Sequence, residues 1–155
     1  MHRIRRLAVF ALWMTLVPSL HAETFQVDGK EIEAAKYAKA YVGSDNVTVE
    51  AAPYKITGSM KRGAIIIIRG IESDWDGKAI NCEFVESSNG SWEYATYRDG
   101  KRALVLRMQK LPKEDRIQLF FPGNRQERYV VPSDGAAQQL NPKTLVQQYL
   151  KEAKP

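Results

Sequence analysis

The stretch Gly63-Ala64-Ile65-Ile66-Ile67-Ile68-Arg69-Gly70 sets four β-branched side chains in succession. Branching at Cβ favours extended backbone, and in a strand successive side chains point to opposite faces. Two isoleucines therefore face each way, and neither face can be left to water. The stretch reads as a central strand covered on both sides. Lys61, Arg62 and Arg69 bracket it, charges that discourage edge-to-edge aggregation.

Outward from this strand the chain alternates short apolar runs with turn residues. Further strands are expected over 47–51, 54–59, 79–86, 92–98, 102–109, 116–121 and 128–131, with the central one over 64–71. Asp76-Gly77, Asn89-Gly90, Asp99-Gly100 and Pro122-Gly123-Asn124 stand between them, several being preferred hairpin dipeptides. Short strands joined by tight turns imply a mainly antiparallel meander.

Two helices are expected to flank it. Over 142–153, Asn141 serves as N-cap, Pro142 takes the first helical position, and Leu145, Val146, Tyr149, Leu150 and Ala153 form an apolar stripe. Over 30–42, Asp28 is the N-cap, Glu31 completes a capping-box spacing, Gly43 ends the helix, and Ile32, Ala35, Ala38, Tyr41 and Val42 share a stripe. The expected fold class is α+β: a single mainly antiparallel sheet of about seven or eight short strands with an N-terminal and a C-terminal helix packed on it.

The beginning of the chain reads as an export signal over 1–22. Arg3, Arg5 and Arg6 precede an apolar run over 7–17, and the stretch ends in the small residue Ala22. An eleven-residue run is shorter than the roughly 20 residues that cross a bilayer. The remainder, 23–155, has no linker or internal repeat and is expected to form a single globular α+β domain in a periplasm or outside the cell. Three of the 23 basic residues and none of the 18 acidic ones lie in the signal, so 20 face 18 in the remainder. That balance gives no electrostatic footprint for nucleic acid.

Both histidines, His2 and His21, also fall in the signal. Without imidazole, Ser-His-Asp and Cys-His pairs and the usual histidine metal sites are closed to residues 23–155. The one cysteine, Cys82, alternates with Ile80 and Phe84 and reads as a small buried hydrophobe. No cofactor is expected, and the balance leans away from an enzyme.

The most specific string is Glu72-Ser73-Asp74-Trp75-Asp76-Gly77. As a calcium loop it places acidic residues at positions 1, 3 and 5, Gly at 6 and Glu83 at 12, making Glu72, Asp74 and Asp76 the candidate ligands. Against this, both flanks read as strands, and a hairpin at Asp76-Gly77 carries Glu83 about 20 Å away. The preferred reading is an acidic hairpin presenting Trp75 between two aspartates, with Asp74, Trp75 and Asp76 as contacts for another protein.

The expected function is a small exported binding protein, such as an inhibitor or immunity protein that occupies an exported hydrolase or toxin. The alternative is a periplasmic ligand-binding or carboxylate-based hydrolytic protein with its site on the sheet face, drawing on Glu72, Asp74, Asp76, Glu83, Glu86 and Glu93. A deep pocket would favour the second, and a filled core the first.

Overall fold

The computed structural model describes residues 22–155, so the export signal expected over 1–22 lies outside the described residues except for Ala22. Ten strands and two short helices follow in order: β1 Thr24–Val27, β2 Lys30–Ala34, β3 Lys39–Gly43, β4 Thr48–Ile56, β5 Arg62–Arg69, β6 Ala79–Glu86, β7 Trp92–Arg98, β8 Lys101–Gln109, β9 Arg116–Leu119, β10 Arg128–Pro132, α1 Asp134–Gln138 and α2 Pro142–Glu152. From β3 to β10 each strand pairs antiparallel with the next, and β10 pairs back onto β3 through Val130 opposite Gly43 and Val131 opposite Val42.

The result is a closed eight-stranded barrel with β1 and β2 added outside it, not an open sheet carrying a helix at each end. Closure removes the unpaired edges an open sheet would expose. The expected α+β class is corrected accordingly.

The isoleucine run shows how closure works. Ile66 and Ile68 point into the barrel beside Val49, Ala51, Val105 and Leu106, whereas Ile65 and Ile67 point outward under Leu145 and Val146 of α2 and Val27 and Ile32 of β1 and β2. Both faces are covered, as the sequence requires. The inner cover is the rest of the same sheet, curled round, and the outer one is α2 with the β1–β2 hairpin.

The helix expected over 30–42 is absent. Asp28 and Gly29 both have positive φ, 48° and 75°, and form the two-residue turn that joins β1 to β2. Paired positive φ is the signature of a type I′ hairpin, which Asp-Gly favours. The alanines of 34–40 suit a helix, but the pairing that Ile32 finds with Ile56 and Tyr41 with Val49 overrides that propensity.

The runs expected at 47–51 and 54–59 are one continuous strand, β4, passing through Pro53. Along one edge β4 pairs with β3 up to Ala51 and with β2 from Tyr54 onward, and Pro53 sits at the changeover. Its carbonyl accepts from Ala35 N at 2.8 Å on that side. The missing N–H therefore faces the gap between two partners, where no ladder bond is lost.

Helix α2 is as the sequence indicates: Asn141 caps it by accepting from Lys143 N, with Pro142 in the first turn. Among the described residues no helix is long and apolar enough to cross a membrane.

Because Ile66 and Ile67 serve separate cores, Ile66→Ala and Ile67→Ala should each lower unfolding free energy by about 2–5 kcal/mol. Urea unfolding of the two variants checks this. An outward Ile67 lying on solvent would instead show little loss.

Candidate functional site

An eight-stranded barrel is just wide enough to be filled by its own side chains or to hold one small ligand. Here it is filled. Val49, Ala51, Ala64, Ile66, Ile68, Val105 and Leu106 have no measurable exposure, and the buried set contains no polar or charged residue. Phe84, Trp92 and Tyr94 pack together at one end of the barrel, with ring centroids 5.0–6.2 Å apart, and the Arg62 guanidinium lies 4.5 Å over Phe84. Trp75 and Phe121 pack against the other end. Trp92 and Tyr94 are thus core residues, with Tyr97 on the opposite face. Cys82 also lies inside the lumen, where burial pushes its thiol well above the ordinary range.

The concave surface available to a ligand is on the outside. The principal concavity is an open groove of about 1160 Å³ along the outer face of β6 and β7. Its floor includes Asn81, Glu83, Val85 and Ala95. One wall is the Asp28 turn with Tyr149 of α2, and the ends are formed by Met60 and Lys61 of the β4–β5 turn and by Asp74 and Trp75 of the β5–β6 loop.

A hydrogen-bonded chain fixes the wall to the floor. Tyr54 Oη donates to Asn81 Oδ1 at 2.6 Å, Asn81 Nδ2 donates to Asp28 Oδ2 at 2.7 Å, and Tyr149 Oη donates to the Asp28 carboxylate at 2.8 Å. Burial, together with the Asp28 carboxylate, raises the Tyr54 and Tyr149 hydroxyl pKa values, so both remain donors. The hydroxyl end of Tyr54 covers Gly63, where any Cβ would collide with it and with the Cys82 carbonyl. The glycine is thus part of the sequence's central stretch for a reason of close approach.

The string 72–77 is not a two-residue hairpin but the middle of a nine-residue loop, 70–78, between β5 and β6. Asp76 Oδ1 accepts from Gly70 N at 2.8 Å and Ile71 N at 3.2 Å, bracing the loop, and Gly77 N donates to Ile68 O at 2.7 Å. Asp74 is exposed and lies 3.5 Å from Arg98. Trp75 is half-buried, packed against the barrel end, with part of its surface on the groove. The structure therefore brings Asp74 and Trp75 to one end of the groove and turns Asp76 toward the backbone.

For the calcium alternative, Asp76 is committed to two amides, and Glu83 is held by Arg102 at 3.0 Å on β6. No group of three or more Cys, His, Asp or Glu able to hold a metal occurs among the described residues.

Beside the groove the outer face carries a run of ion pairs: Glu83 with Arg102, Arg102 with Glu93, and Glu93 with Arg107, each at 3.0–3.1 Å. Desolvation raises the Glu93 carboxyl pKa, but hydrogen bonds from Arg102 and Arg107 outweigh it and leave a net lowering. Glu86 is likewise paired with Arg62 at 3.0 Å. The carboxylates proposed from sequence for hydrolysis are therefore largely tied to arginines.

What the sequence reading misses is the rest of the groove. Met60, 96 % exposed, Tyr97, 63 %, and Val85, 49 %, all line it. Their signal in the sequence is parity: Val85 and Tyr97 alternate out of phase with the inward Phe84 and Tyr94, and Met60 is a lone apolar residue in a polar turn. No family model, curated protein or solved structure matches this chain.

Two outcomes follow from these contacts. Millimolar Ca²⁺ should leave the thermal midpoint unchanged, as followed by circular dichroism, since ligand binding to the native state would raise it. A carboxyl with a lowered folded pKa stabilises the fold above its unfolded value, near 4.5, and that contribution is lost as pH falls through the folded value. Glu93→Gln should accordingly be less stable than wild type at pH 7, with the difference vanishing toward pH 2 in urea titrations.

Proposed function

We propose that this chain is a small exported binding protein, periplasmic or secreted and of bacterial type, that acts by occupying a partner protein. An exported hydrolase or toxin is the kind of partner meant, with this chain as its inhibitor or immunity protein. The observation that carries the reading is the packed lumen. A barrel filled with isoleucine, valine and leucine encloses no ligand, so any recognition falls to an outer surface held rigid by closure. Rigid surfaces lose little conformational freedom on docking.

Three further features support it. The buried thiol of Cys82 is withheld from nucleophilic chemistry, and both histidines precede residue 23. The interior is apolar while the outer face carries the Glu83-Arg102-Glu93-Arg107 pairs, the reverse of the apolar-out, polar-in pattern of a membrane barrel. Exposed Asp74 and half-buried Trp75 present charge and aromatic surface together at one end of the groove, a combination suited to an interface anchor.

Against a panel of purified cell-wall hydrolases and exported toxins, the protein should inhibit at least one with one-to-one stoichiometry. Asp74→Ala, at an exposed position that leaves the core intact, should raise the Kd at least about tenfold, or 1.4 kcal/mol. Trp75→Phe should weaken binding in the same direction. Failure to form a complex with any member of the panel in calorimetry, with wild type and Asp74→Ala indistinguishable, overturns the proposal.

A further inference from the structure

Charges on the groove are not evenly satisfied. Each of its four carboxylates has a partner: Asp28 accepts from Tyr149 and Asn81, Asp74 faces Arg98, Glu83 holds Arg102 and Glu86 holds Arg62. Lys30, Lys61 and Lys78 also line the groove, are exposed, and form no ion pair among the described residues. The lysines are spread along it: Lys30 beside the Asp28 turn, Lys61 at the β4–β5 turn and Lys78 at the end of the loop just before β6. Asp28 keeps its charge, since both its donors are neutral, but three lysines without a carboxylate partner face it, so the excess left for an incoming molecule is positive.

The apolar anchors follow the same axis. Met60 stands at the end where β5 begins, Val85 near the close of β6, and Tyr97 toward the end of β7. Strand β6 has eight residues, about 26 Å at 3.3 Å per residue. The groove thus has the length of an extended segment of about eight residues, with apolar contacts near both ends and cations along its side.

We infer that the groove seats an extended acidic segment of the partner protein, carboxylates toward Lys30, Lys61 and Lys78 and apolar side chains on Met60, Val85 and Tyr97. This rests on the proposed function and names the surface and chemistry of the contact. Complementary charge of this kind steers encounter and fixes register more than it adds raw affinity. A polypeptide fits better than a nucleic acid: both groove arginines, Arg62 and Arg98, already face carboxylates, so no free guanidinium fork addresses a phosphate. Residues 23–155 are also nearly neutral overall.

The test uses the purified protein and a fluorescent ten-residue peptide alternating Glu or Asp with Leu and Phe, against the same peptide with Lys at every acidic position. The acidic peptide should bind at least tenfold more tightly at low salt and weaken as salt rises. The variant Lys30→Glu/Lys61→Glu/Lys78→Glu, changed only at exposed positions, should reverse the preference. Equal affinity for both peptides, a preference that survives the triple reversal, or tighter binding of a heparin octasaccharide or of anionic phospholipid vesicles overturns the inference. A triple variant that still inhibits its partner as wild type does also overturns it, while the proposed function stands. A reversed peptide preference in a protein that binds no member of the panel upholds the groove and fails the proposed function instead.

Discussion

Strand β5 has no face to give to water, and most of the architecture can be derived from that constraint. Burying Ile66 and Ile68 requires an apolar surface on one side, and burying Ile65 and Ile67 requires a second on the other. The meander satisfies the first by curling until β10 meets β3, so that its own inner faces become the cover. The second is met by elements from the two ends of the described chain, the β1–β2 hairpin and α2, which share one small core over β4 and β5. Two cores separated by one strand tie the ends of the chain to its middle.

The groove is a consequence of that outer cover. Hairpin and helix rise above the barrel wall, while the adjoining floor stays low at Ala95, and the step between them becomes a trough. Asp28, at the positive-φ turn between β1 and β2, holds the step in place by accepting from both Asn81 on the floor and Tyr149 on the helix. A turn residue, a strand residue and a helix residue thus become one wall. Closure supplies rigidity, the hairpin and helix supply relief, and the filled lumen leaves the outer surface as the place where recognition can occur.

Much of this was legible along the chain and some was not. The strands at 79–86 and 92–98 agree with the structure because period-two alternation and turn dipeptides speak together there. The cap of α2 is equally local, being one asparagine side chain on a nearby amide. At 30–42 the local signals conflicted: alanines and a capping-box spacing favoured a helix, while Asp28-Gly29 favoured a hairpin, and pairing with β4 decided the matter. Pro53 divided a strand on paper because its tolerance depends on which partner lies opposite. In the loop 70–78 the acidic spacing was visible, but that Asp76 braces the loop through the Gly70 and Ile71 amides while Asp74 faces Arg98 was not.

By itself the sequence determined a β-rich chain with a strand buried on both sides, an inert interior thiol, a capped final helix, and no histidine chemistry beyond residue 22. These follow from composition and from interactions a few residues long. Only the tertiary structure decided that the sheet closes, that the first segment pairs instead of coiling, and that lysines and apolar residues from three strands and two connecting loops share one groove. Those outcomes depend on contacts between residues far apart in sequence. Their free energy comes from surfaces that meet only once the chain has folded, and no local spacing encodes it.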